Sequence, residues 1–135
     1  MLIHRIIYIG RWRCDFFFAA GRDYDGASVM ECLEDMEADE DMLRHCWGMI
    51  RDDRMNEGFT YSRIDQKRSC IFIGPASDGA EFLDTFTHEL RHLADHIAKH
   101  LGIDLHGEEI AYITGDTSRD LAEVVCRLGC PACND

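Results

Sequence analysis

The sequence predicts a small α+β domain, in which a short antiparallel sheet packs on one long helix and further helices complete the core. Three observations predict it. Segments rich in β-branched and aromatic residues recur at Leu2 to Ile9, Trp12 to Phe18, Phe59 to Ser62 and Ser69 to Ile73. Apolar residues at helical spacing fill the segments between and after them. One helical pattern runs unbroken from Ser77 to Leu101. The chain of 135 residues has the length of one domain and can bury a core without disulfides. It shows no repeat, low-complexity stretch or linker, so residues 1–135 are expected to form one domain.

The elements follow in order. Gly10 and Arg11 can turn between the first two strand-like segments, which predicts an N-terminal hairpin. From Gly26 the spacing changes to that of a helix, with Val29, Cys32, Leu33 and Met36, and a second helix follows with Met42, Leu43, Cys46, Met49 and Ile50. Asn56, Glu57 and Gly58 break that pattern before the next two strands, and Gly74 and Pro75 stop the second of them. Ser77 or Asp78 can cap the long helix, Glu81 sits in its first turn, and Gly102 ends it. A shorter helix is expected from Gly107 to Ile113, and a last one from Thr117 or Ser118 to Leu128, with Gly115 between them.

Charge narrows the range of functions. The formal net charge of -12, with 26 acidic against 14 basic residues, repels a phosphate backbone, so nucleic acid is not an expected partner. Much of the excess lies between Glu31 and Asp41 and reads as a solvated helix face and the turn after it. No apolar run reaches the ~18 residues of a membrane span, and Arg11, Arg13 and Asp15 interrupt the apolar N-terminal stretch where a signal peptide would need continuity. Seven cysteines, an odd number, fit free thiols in a reducing cytoplasm better than a disulfide framework.

The chemistry sits in Thr87-His88-Glu89-Leu90-Arg91-His92, an HExxH pattern in the middle of the long helix. Imidazoles at i and i+4 lie one turn apart on one face, where both can bind a single Zn²⁺. With His88 at about 0° on a helical wheel, His92 falls at about 40°, His96 at about 80° and Glu89 at about 100°. Phe86, Leu90, Leu93 and Ile97 cluster around about 180°, so the apolar face lies opposite the histidines. A chain of this length and composition would contain the pattern by chance roughly 0.03 times.

Catalytic zinc takes three protein ligands and leaves one position for water. Ala98 stands where a third histidine of the HExxHxxGxxH pattern would be, and position 95 is Asp95 rather than glycine. His96 lies too far along a straight helix to join both other histidines on one ion, since i to i+8 spans about 12 Å, and is expected beside the site or at the surface. The better third ligand is a carboxylate from the next helix, in Gly107-Glu108-Glu109-Ile110-Ala111-Tyr112. Glu89 is then positioned as general base, and Tyr112 or Tyr61 as a second electrophile for the oxyanion.

These residues resemble a gluzincin, the HExxH metallopeptidase family whose third ligand is a downstream glutamate. Phe86 to His92, then Asp95-His96-Ile97, then Gly107-Glu108 with Ala111-Tyr112 are similar, more narrowly, to small uncharacterised zinc-peptidase-like proteins of phages and mobile elements. The resemblance covers about residues 58–116. It implies a zincin-like domain, Zn²⁺ as cofactor, a peptide or protein substrate, and Glu108 as the third ligand with Glu109 as its alternative. It also implies that the strand before the metal helix, Ser69 to Ile73, is an edge that pairs with extended substrate. Tyr112 stands where the family usually places an acidic residue.

Two other readings remain open on the residues alone. One is a catalytically inactive zinc-binding interaction or regulatory protein on a peptidase-like scaffold, and the other a metal-free helical interaction module. Asp95 and Asp104 are candidates to orient the ligand histidines. Cys126, Cys130 and Cys133 place three thiols in the tail, where a second metal, a disulfide or plain thiols are all compatible with the spacing.

Overall fold

The computed structural model describes residues 1–51 and 58–130. Asn56, Glu57 and Cys133, which carried parts of the sequence reading, lie outside the described residues. The order of elements is β1 (Leu2–Ile9), β2 (Trp12–Ala19), α1 (Ala27–Asp35), α2 (Glu40–Arg51), β3 (Gly58–Arg63), β4 (Arg68–Ile73), α3 (Gly79–Leu101), α4 (Glu108–Asp120) and α5 (Ala122–Gly129). The α+β class stands. The sheet corrects one expectation: it is mixed, in the order β1-β2-β4-β3. β1 with β2 and β3 with β4 are antiparallel pairs, but β2 and β4 run parallel, from Arg13 against Arg68 to Phe18 against Ile73. The hairpins are local and were readable in sequence; their parallel junction forms because α1 and α2 cross over between β2 and β3.

Side-chain alternation splits the sheet into two packed faces. Cys14, Phe16, Phe18, Ile71 and Ile73 meet Phe82, Phe86, Leu90, Leu93 and Ile97 of α3, so the apolar stripe of the wheel is the one buried. Phe17, Ala19, Cys70 and Phe72 face the other way, against Val29, Cys32, Leu33 and Met36 of α1 and Cys46 and Met49 of α2. Burial of each large apolar side chain contributes about 2 kcal/mol.

α3 starts and stops as its ends dictate. The Asp78 carboxylate accepts from the Glu81 backbone N–H at 2.8 Å, which satisfies one of the donors the first turn leaves open. Gly102 adopts φ +68° at the other end, a left-handed conformation that costs glycine least. The tail of the chain differs from expectation: α4 runs straight through Gly115 to Asp120, and the break falls at Leu121. Ile110, Ile113 and Thr117 continue one inward stripe across Gly115, and this packing outweighs the ~1 kcal/mol cost of a glycine inside a helix. Among the described residues no helix is long and apolar enough to cross a membrane.

Candidate metal centre

α3 carries histidines at positions 88, 92, 96 and 100. Four-residue spacing overshoots the helical turn slightly, so they form a stripe drifting around the helix. At the N-terminal end of the stripe two of them converge. His88 Nε2 and His92 Nε2 are 3.1 Å apart on the exposed side of α3, with the rings edge to face at 76°. Two nitrogens bound tetrahedrally to one zinc at about 2.05 Å stand about 3.3 Å apart. The observed separation is therefore close to that of two imidazoles sharing one ion, and the pair fits zinc.

Glu89, their sequence neighbour, turns the other way. It is 5 % exposed and lies against β3, where Thr60 Oγ1 stands 2.9 Å from Glu89 Oε1 and 3.1 Å from the Glu89 carbonyl oxygen. Gly58 permits this approach. A Cβ at Gly58 would stand 2.8 Å from the Phe72 carbonyl oxygen, 2.9 Å from Glu89 Cγ and 3.0 Å from Glu89 Oε2, distances that a packed interior does not accommodate without displacement. The sequence marks Gly58 only as a breaker of the preceding helical pattern and Thr60 only as part of a strand, neither as part of this site. Alternation along β3 puts Gly58, Thr60 and Ser62 on one side, but only the sheet order shows that this side faces α3.

His96 is half-buried and tied to the sheet. Its Nδ1 lies 2.7 Å from Ser62 Oγ, which lies 2.7 Å from Ser69 Oγ, and Trp12 Nε1 donates to Ser69 Oγ at 2.8 Å. Burial, and next the proximity of His92, hold the His96 imidazole below its ordinary pKa, with Asp95 acting weakly in the opposite sense. A neutral ring follows at neutral pH, placed beside the converging pair as expected from its position on the wheel.

The remaining sequence candidates are dispersed. Glu108 and Glu109 are exposed in the first turn of α4. Ile110, next along, packs on Ala94 and Ala98, which lie farther along α3 than His92. Among the described residues no three His, Cys, Asp or Glu side chains form a group able to hold one ion. The structure thus brings His88 and His92 together and does not bring Glu108 or Glu109 to them. Tyr112 is 66 % exposed on α4. Tyr61 is on the far face of the sheet, where its hydroxyl accepts from the Asp39 backbone N–H at 3.2 Å, so it is removed as an electrophile for this site. Asp95 pairs with Arg91 at 2.9 Å and Asp104 accepts from the His106 backbone N–H at 2.9 Å, so both are engaged away from the histidine pair.

The sheet order also corrects the expectation that β4 is an edge. β4, the strand immediately before α3, has β2 on one side and β3 on the other, so its backbone is already paired along both edges. β3 is the outer strand on that side, and it is the one that touches Glu89. Compared with protein-family models, curated proteins and solved structures, the chain matches none.

Proposed function

We propose that the chain is a zinc-dependent peptidase, with His88 and His92 as metal ligands and Glu89 as general base. The observation that supports this reading best is the 3.1 Å approach of the two Nε2 atoms on the open side of α3. His88 and His92 would hold the zinc, which when bound would lower the pKa of a water toward ~7 and so make it a nucleophile. Glu89 takes the proton of that water and passes it to the leaving amine. Thr60 Oγ1 occupies Glu89 Oε1, which leaves Oε2 as the proton-accepting oxygen.

The substrate in this reading is an extended peptide that pairs with the outer edge of β3, so that backbone recognition brings its scissile bond alongside Glu89. Glu108 is assigned as the third ligand, with Glu109 the alternative, and either requires the first turn of α4 to approach His92. Tyr112 is the hydrogen-bond donor assigned to the oxyanion. The odd number of cysteines supports a reducing cytoplasm as the compartment.

One observation favours a second reading, a zinc-binding interaction or regulatory protein without turnover: the described residues offer two converging ligands where hydrolytic zinc takes three. Zinc titration and cleavage of an unfolded-protein mixture separate the two. The peptidase reading expects one zinc per chain and cleavage that Glu89→Gln reduces by at least ~100-fold with zinc retained. Zinc uptake without cleavage establishes the second reading, and failure to take up zinc removes both.

A further inference from the structure

The face of the sheet turned away from α3 holds a second group of reactive side chains. Cys32 of α1, Cys46 of α2 and Cys70 of β4 pack in one core with Phe17 and Phe72, and Cys14 is buried on the α3 side. The four differ in access. Cys14, Cys46 and Cys70 are 0 % exposed, whereas Cys32 is 7 % exposed and lines a surface pocket of about 450 Å³ with His4, Arg13, Asp15, Asp35 and Arg68. Arg68 Nη2 lies 3.7 Å from Cys32 Sγ. Cys70 packs in the same core, and its thiol interacts with the Cys32 side chain.

We propose that Cys32 and Cys70 form a peroxide-responsive dithiol, in which Cys32 is the reacting sulfur and Cys70 the resolving one. The Cys32 thiolate attacks one oxygen of a hydroperoxide. The S–O bond forms, the O–O bond breaks, and the leaving oxygen departs as water or an alcohol once protonated, with Cys32 as the sulfenic acid. The Cys70 sulfur then attacks the Cys32 sulfur. The S–S bond forms, the S–O bond breaks, and the departing hydroxide takes up the Cys70 proton as water. For hydrogen peroxide the balance is two thiols and one peroxide to one disulfide and two waters.

The environment orders the steps. Burial pushes the Cys14 thiol up to about 12 and the Cys46 thiol up to about 11, which keeps both protonated and slow. The hydrogen bond to Cys32, then burial, holds Cys70 well above the ordinary thiol range. The product ties α1 to β4. The site lies across the sheet from the histidine pair and stands whether or not the peptidase reading does.

The test is stepwise hydrogen peroxide treatment of the native full-length chain, thiol blocking, and non-reducing peptide mapping by mass spectrometry. The expected result is a Cys32–Cys70 linked peptide pair, ~2 Da lighter than the two thiol peptides together and reversed by a dithiol. In Cys70→Ser a dimedone adduct should accumulate on Cys32. Bridging of Cys46 to either partner, or oxidation confined to Cys126, Cys130 and Cys133 while Cys32 stays reduced, overturns the proposal. If Cys70→Ser loses its circular dichroism spectrum, peptide mapping of the wild-type chain decides alone.

Discussion

The two faces of the sheet use polar residues in opposite ways. On the far face Asp15 is 1 % exposed and saturated: Arg13 Nε donates to it at 2.8 Å, Arg68 Nη2 lies 3.5 Å away, and His4 Nε2 lies 3.2 Å away. Arg68 in turn pairs with Asp35 at 2.6 Å. On the α3 face, His88 and His92 point two nitrogens at each other across an exposed surface, and charged partners are absent from that contact. Mutually neutralised charge secures a fold, since its binding capacity is spent internally. Two like donors held together with capacity to spare are poised for a third party.

Removal of the histidines gives the largest separation between the faces. His88→Ala or His92→Ala should abolish zinc uptake, measured by elemental analysis and competition titration, with less than ~1 kcal/mol lost in chemical denaturation because both side chains are exposed. Zinc retained at full stoichiometry in either variant would erase the distinction. Asp15→Ala should do the reverse, costing about 3 kcal/mol by leaving Arg13 and Arg68 without their buried partner, with zinc affinity unchanged.

Acid sharpens that contrast. Burial alone would push the Asp15 carboxyl up, but the hydrogen bond and charge of Arg13, with Arg68 and His4, outweigh it and hold the group below its ordinary value. A carboxylate whose folded pKa is depressed contributes stability above its unfolded value and loses it as pH falls through the folded one. The wild-type midpoint should therefore drop below about pH 4, and the drop should be shallower in Asp15→Asn. Equal acid limbs would assign the loss to other carboxylates.

Gly58→Ala probes the buried carboxylate rather than the metal. The added methyl meets the Phe72 carbonyl and Glu89, so a loss of about 1–3 kcal/mol is expected, together with reduced cleavage at unchanged zinc affinity. Unchanged turnover would detach Glu89's position from catalysis. The smallest expected effect belongs to Glu108→Ala, a fall of at least ~10-fold in zinc affinity. A null result there, with an effect in Glu109→Ala instead, reassigns the ligand; null results in both leave a two-histidine centre.

Much of the architecture was legible because its determinants are local. The Asp78 cap, the Gly102 stop, the hairpin of β1 and β2 and the apolar stripe of α3 each depend on residues within a few positions of one another. Gly115 misled for the same reason, since its local cost is real but the buried stripe from Ile110 to Thr117 continues through it. The histidine pair was readable because both imidazoles ride on one helix with fixed geometry.

By itself the sequence determined the α+β class, the course of α3 and the pairing of His88 with His92, since hydrogen bonds and side-chain spacing within one helix or hairpin decide them. Only the tertiary structure decided that β2 and β4 run parallel, that β3 rather than β4 is the edge, and that Gly58 and Thr60 enclose Glu89. It also set Glu108 apart from the histidines. Those outcomes depend on which apolar faces meet across long stretches of chain, and dispersion and burial are non-directional forces that carry no local signature of their partner.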